Sequence, residues 1–435
     1  MWIGRGPPLV PSLALRTSVA CSGPLAPVVH CQELRLSTRL TRFSHALFLS
    51  GLTCLLAPEA RAEEEVVEDP DMLKVGGALR LNAFFKTWPG EEDNRNRGGD
   101  VAFDTFRLNV DARLSKVLLS AEYRLYSGYS MLHHGWVGYE FTKATQLQFG
   151  VHRVPFGVLP YASHNWFFSL PYYMGMEDDY DLGLKLVHTQ GPWDLQVAFY
   201  KNDEGSFTGR STDSARYSYD VVQVSSSNPG EAYLGVDSAN HESNKLNARA
   251  AYTFQHGDLG RTEVGVSAQT GQIYNSVTKR NGLNWAGAVH LDGYYGPFNL
   301  RMEVLSYGYD LKNPEGHDDS IVTMGAYDAP YKMATRGTVY AAGLSYDVPV
   351  SWGPITKLTF YDDFSLFDKA NAAFETSMQN VLGMLVTAGP VYTYVDVASG
   401  KNQPWLGPAY GHALAEGDPN APWETRFNIN VGYYF

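Results

Sequence analysis

Charged side chains recur at every second position along much of this chain. Arg107, Asn109, Asp111 and Arg113 alternate with Phe106, Leu108, Val110, Ala112 and Leu114. Ser120, Glu122, Arg124 and Tyr126 alternate with Leu119, Ala121, Tyr123 and Leu125. A strand gathers every second residue on one face, whereas a helix would scatter these charges around its axis. Such faces carry Arg80, Lys86, Arg107, Arg113, Arg124, Arg153, Lys185, Arg249, Arg301 and Lys357. A basic wall facing confined water attracts, orients and ranks ions and dipolar solutes. Opposite it the sequence offers the loop acids Glu177, Asp178 and Asp179. Two unit charges about 4 Å apart in a partly screened site interact by about 4 kcal/mol, so such a wall and loop would set a transverse field. The other reading of these acids is a set of solvated loop tips, or salt bridges that stiffen the loop against the wall. Asp111, Glu122, Glu140 and Glu303 on the same faces would pair with the arginines and dilute any ladder for anions.

Other chemistries find less support. The three cysteines are Cys21, Cys31 and Cys54, so residues 55–435 hold no thiol for a disulfide, a zinc site or a nucleophile. A barrel hydrolase would need a Ser/His/Asn or Asp/His set at one rim. His152, Ser163, His164 and Asp181 are candidates, but no G-x-S-x-G or H-E-x-x-H motif stands beyond residue 62. No enzyme activity and no cofactor is implied. Glu91-Glu92-Asp93 and Asp318-Asp319 are read as solvated loops before divalent-cation sites. His133 and His134 are expected on opposite faces of a strand, which argues against a shared ion.

The elements that must position these side chains are strands. Dyad alternation in segments of about 10 residues marks strands with lipid on one side and water on the other. Sixteen segments fit, at approximately 75–87, 103–114, 117–126, 133–142, 145–154, 181–188, 193–202, 244–254, 261–271, 283–292, 298–308, 337–347, 355–363, 378–386, 391–398 and 425–435. Their connections read as alternately short (115–116, 143–144, 189–192, 255–260, 293–297, 348–354, 387–390) and long (88–102, 155–180, 203–243, 309–336, 400–424). Short turns on one rim and long loops on the other predict an all-β fold, an antiparallel 16-stranded transmembrane barrel with short periplasmic turns and long extracellular loops. Trp88, Trp136, Tyr139, Phe141, Trp193, Phe199, Tyr252, Phe254, Tyr307, Tyr346 and Phe360 fall at strand ends, where aromatic girdles form.

Composition agrees. The chain has 435 residues, 18% charged and 13% aromatic, with 42 Gly and 28 Tyr. A mean hydropathy of −0.25 excludes a polytopic helical membrane protein. Residues 1–62 carry a net charge of +4 and the remainder −16, which argues against a nucleic-acid partner. Arg35, Arg39 and Arg42, the apolar run 46–57 and Ala60-Arg61-Ala62 follow the order of a secretory signal peptide cleaved after Ala62. This leader exceeds the usual 15–30 or so residues, so its first part reads as a gene-start error. The organisation expected is a signal region 1–62, a short periplasmic segment 63–72 and a barrel over 73–435.

Sixteen strands suit an aqueous channel, since smaller barrels are filled by side chains and gated transporters need about 22 strands and a plug. The fifth segment breaks at Pro155-Phe156-Gly157, and a long aromatic loop, 158–179, follows. The run Gly150–Gly157, G-x-x-x-x-P-F-G, followed by that loop resembles the phosphate-selective porin O/P family. The resemblance implies a homotrimeric 16-stranded channel whose third loop folds into the lumen as a constriction, with a basic ladder for phosphate or other anions. Phe427, Ile429, Val431, Tyr433 and Phe435 share one face of the last segment. They resemble the C-terminal signal read by the barrel-assembly machinery. The partners expected are outer-membrane lipid, that machinery and small hydrophilic or ionic solutes. A sugar-type channel with an aromatic slide (Tyr126, Tyr200, Tyr361) and a non-channel barrel plugged by segment 203–243 are the alternatives.

Overall fold

The computed structural model describes residues 71–435. The expected signal region and most of the segment 63–72 lie outside the described residues. Nineteen strands follow in order: β1 (Met72–Lys86), β2 (Asp100–Leu114), β3 (Val117–Leu125), β4 (Ser130–Thr142), β5 (Thr145–Arg153), β6 (Tyr180–Gln190), β7 (Trp193–Asp203), β8 (Asp220–Val221), β9 (Asn240–Gln255), β10 (Arg261–Asn275), β11 (Arg280–Tyr295), β12 (Phe298–Asp310), β13 (Ile321–Ala326), β14 (Ala329–Ala334), β15 (Arg336–Trp352), β16 (Ile355–Lys369), β17 (Ser377–Ala388), β18 (Val391–Lys401) and β19 (Glu424–Tyr434). Sixteen of them close an antiparallel barrel, with β19 pairing back onto β1 through Ala78↔Tyr434 to Lys86↔Arg426. The other three, β8, β13 and β14, form a small separate sheet within the loops.

Each of the sixteen segments read from the alternation coincides with a barrel strand. Along β19, Phe427, Val431 and Tyr433 point outward and are exposed, while Arg426, Asn428 and Asn430 are buried on the inner face. The same holds for Leu108 against Arg107 and for Leu246 against Asn247 and Arg249. The outer surface is thus a continuous apolar belt, which water does not favour and lipid does. Four turns of the short rim are Gly-Pro pairs. Gly191, Gly296, Gly353 and Gly389 each hold φ near +59°, the left-handed conformation that the first central position of such a hairpin turn requires.

Three details depart from expectation. The long-loop rim is uneven, since its connections include the short segments 126–129 and 276–279 as well as 154–179, 204–239, 311–335 and 402–423. Trp88 and Tyr307 are buried rather than part of a girdle; Tyr307 donates to the Ala334 carbonyl at 2.7 Å. Trp193, Tyr252, Phe254, Phe298 and Tyr346 do cluster at the short-turn rim, with ring centroids 4.7–4.8 Å apart. Finally, a bulge where β3 meets β4 leaves His133 without a partner residue and turns His133 and His134 both inward. Their Nδ1 atoms lie 2.7 Å apart. The expectation of opposite faces fails because a bulge breaks the period of two.

Candidate functional site: the loop that crosses the lumen

The site begins where β5 stops. Pro155 has no N–H for a ladder, and Val154 donates to the Asp179 carbonyl at 2.8 Å, closing the base of a loop over 154–179. Gly157 turns the chain inward at φ +61°. A Cβ built there would stand 2.0 Å from the Glu303 carboxylate. That closeness lets Gly157 N–H donate to Ser267 at 3.1 Å and Val158 N–H to Glu303 at 2.8 Å, while Arg249 donates to the Gly157 carbonyl at 3.0 Å. Phe156 beside them is buried. One turn of loop is therefore seated on β9, β10 and β12.

The loop then reaches the far side. In the ring of sixteen strands β16 stands diametrically opposite β5. Its Asp363 accepts from the backbone N–H groups of His164 and Asn165 (2.8 and 3.1 Å) and from the Asn165 amide (2.7 Å), and it lies 2.7 Å from His164 Nδ1. Leu170 N–H reaches Ser365 on β16, and Gln379 on β17 donates to the Phe168 carbonyl. The bonds to the Asp363 carboxylate are charge-assisted, worth about 1.5–3 kcal/mol each, and the neutral ones about 0.5–1.5. The loop is a strap across the lumen, fixed at both walls.

Each predicted basic residue lies on the inner face and is engaged there. Arg80 donates to Asp104 at 2.8 Å, beneath the Trp166 ring of the loop. Arg107 and Arg124 both face Glu122, at 3.6 and 2.6 Å, and the Arg124 guanidinium sits 4.4 Å from the centre of the Tyr217 ring. Arg113 pairs with Glu140 at 2.7 Å. Arg249 bridges Asp194 and Glu263, and Arg301 lies 3.6 Å from Asp292 and donates to the Ser163 carbonyl. Lys185 donates to the Arg153 carbonyl at 2.7 Å. The inner wall is a lattice of paired charges.

The three loop acids are buried within the packing. Asp178 lies 2.6 Å from Arg153 and accepts from Tyr217 at 2.6 Å. Glu177 accepts from Ser169 and from Ala162 N–H. Burial, reinforced by Glu303 and Asp178 nearby, pushes Glu177 well above the usual carboxylate range despite those donors. Asp179 has Lys245 at 3.5 Å. In this arrangement the acids fasten the loop. His164 uses its second ring nitrogen on Asn299 at 2.7 Å, which leaves neither nitrogen for Ser163, the hydroxyl beside it.

Further loops close over the strap, and sequence reasoning missed how far. Segment 204–239 buries Tyr217, Tyr219, Val221 and Val222, and β8 within it pairs with β13 through Met324↔Val221. Tyr219 accepts from Trp405 at 2.7 Å, and Tyr172 of the strap shares a hydrogen bond with Tyr327. The rings of Phe168 and Tyr172 stack 3.9 Å apart. Of the proposed slide, Tyr126 stacks on Tyr129, Tyr200 donates to the Arg153 carbonyl and Tyr361 donates to Asp396; all three are buried. These loops are scarcely richer in tyrosine than the strands, so composition carried no signal of this packing.

No protein-family model matches the chain, and no curated protein matches it. Solved structures do. The chain is similar to OmpT, an outer-membrane protein of Vibrio cholerae, at 14% identity and TM-score 0.52, covering 84% of this chain and 98% of that one. It is similar to the outer membrane channel DcaP of Acinetobacter baumannii at 12% identity and TM-score 0.52, covering 84% and 97%. It is also similar to an anion-selective porin from Comamonas acidovorans, at 11% identity and TM-score 0.53, covering 84% and 100%. The shared property is the fold, the closed sixteen-stranded barrel of outer-membrane porins.

Proposed function

We propose that this protein is an outer-membrane porin, a channel for passive diffusion of small hydrophilic or ionic solutes, with loop 154–179 as its constriction. The observation that carries the reading is the strap: a loop leaving β5 is bonded to Asp363 on the opposite wall. A fixed loop across a water-filled barrel narrows the path and sets which solutes pass. The reading places the chain in the outer membrane as a homotrimer without enzymatic activity, the short-turn rim towards the periplasm, delivered by a cleaved signal peptide and by the barrel-assembly machinery. Small anions, phosphate among them, are the solutes to try first. Arg80, Arg107, Arg113, Arg124, Arg153, Lys185, Arg249 and Arg301 line the inner face, although the acids paired with them weaken the field that an anion would feel.

A second reading has its own observation. Segment 204–239 folds over the strap and buries Tyr217 and Tyr219 there, which is how a barrel with a blocked lumen would be built. Planar-bilayer conductance of the refolded protein, with a reversal potential in a salt gradient and phosphate titrated in, separates the two. Conductance steps in threes are expected. Block by phosphate at low concentration would support the anion ladder, and cation preference without block would remove it. Folded protein that conducts nothing would leave the blocked barrel.

A further inference from the structure

Where the strap ends and segment 204–239 docks, carboxylates crowd together. Asp179 closes the strap, Asp181 is the second residue of the wall strand β6, and Asp220 lies on β8. Each offers an oxygen within 4.8 Å of the others, and all three residues are at least 97% buried. Neither oxygen of Asp179, nor Oδ1 of Asp181, accepts a hydrogen bond from the described residues. Glu242 and Glu204 stand in the same neighbourhood, and one Glu204 oxygen is equally unmatched. Against these acids stand two cations. Lys245 lies 2.8 Å from Asp181, 2.9 Å from Glu242 and 3.5 Å from Asp179. Arg216, 3.4 Å from Asp220, is shared with Asp203.

Buried carboxyl oxygens without hydrogen bonds are costly, and these meet where two chain segments, 179–181 and 204–220, come together. Calcium takes six to eight oxygens at about 2.3–2.6 Å, so ligands on opposite sides of one ion lie about 4.8 Å apart. The three carboxylates each place an oxygen within that span of the others, which leaves room for one ion between them. A cavity of about 200 Å³, lined by Asp203, Arg216, Val221 and Glu242 among others, lies beside β8. We propose that Asp179, Asp181 and Asp220 form a calcium site that fastens the strap and segment 204–239 to the barrel wall. The proposal holds whichever solute the barrel carries.

Terbium, a luminescent stand-in for calcium excited through nearby tyrosines, tests this on the full refolded chain. One terbium per chain, displaced by calcium, is expected. Asp179→Asn and Asp220→Asn should each weaken binding at least tenfold, while a paired Asp318→Asn and Asp319→Asn change in an outer loop leaves it unaltered. Emission that calcium does not displace, or that persists in the Asp179→Asn, Asp220→Asn double variant, overturns the proposal. Should the variants not fold, the unaltered protein still decides. Calcium should slow protease cleavage within 204–239 at least fivefold relative to a chelator, and equal rates overturn the site.

Discussion

Gly157 shows how much one residue does here. It supplies a left-handed turn and admits the Glu303 carboxylate where a Cβ would stand. Gly157→Ala adds backbone strain of about 1–2 kcal/mol and a clash with Glu303, so the strap should lift from β9, β10 and β12. Single-channel conductance is expected to rise in this variant while the barrel stays folded; unchanged conductance would show that the strap does not limit the path. The Arg153–Asp178 pair works by charge. Removing one partner from a buried pair costs about 3–5 kcal/mol, because the other charge is left uncompensated. Arg153→Met and Asp178→Asn should each destabilise the protein by about that much, and the double variant by clearly less than their sum. A double-mutant cycle on urea unfolding in detergent checks this, and strict additivity would mean that the two charges do not interact.

At the scale of the element, the strap is an aromatic loop whose buried rings, Trp166, Phe168 and Tyr172 among them, pack inside the barrel around a buried carboxyl, Glu177. Its stability therefore depends on protonation. Burial raises Glu177 above its ordinary value of 4.5, so the folded strap keeps a proton that the unfolded chain releases. The stabilisation is complete below about pH 4.5 and is lost as pH rises towards the folded-state value. Packing of the strap should be tighter at pH 4 than at pH 8, and Glu177→Gln should flatten that slope. The fluorescence of Trp166, fully buried in the same loop, reports it during denaturant titration at each pH. Equal slopes in both proteins would remove Glu177 as the cause.

For the whole molecule the governing fact is that outside and inside are exchanged relative to a water-soluble protein. Apolar side chains such as Leu108, Val431 and Tyr433 face outward, and paired charges fill the interior. An arginine at the lipid midplane costs about 2–4 kcal/mol, falling to about 0–1 near the interfaces. Val431→Arg should therefore destabilise the barrel in vesicles by up to that amount, while Asn109→Ser, at a half-buried inner-face position of β2, should cost less than about 1 kcal/mol. Folding titrations in lipid vesicles compare the two directly. Equal costs would mean that the outer face of β19 does not meet lipid.

The sequence by itself determined the sixteen strands, which face of each is polar, and the break at Pro155-Phe156-Gly157. Period-two alternation and the missing proline N–H are local properties, and each needs no knowledge of distant residues. What the basic and acidic residues do was decided by tertiary structure. Whether Asp178 faces open water or Arg153 depends on where a loop lands, and that is set by bonds to residues such as Asp363 and Glu303, far away in the chain. The two histidines turned together by a bulge, the tyrosines buried by segment 204–239 and the carboxylates of Asp179, Asp181 and Asp220 follow the same rule. Barrel closure brings distant segments within a few ångströms of one another, and no spacing along the chain encodes that approach.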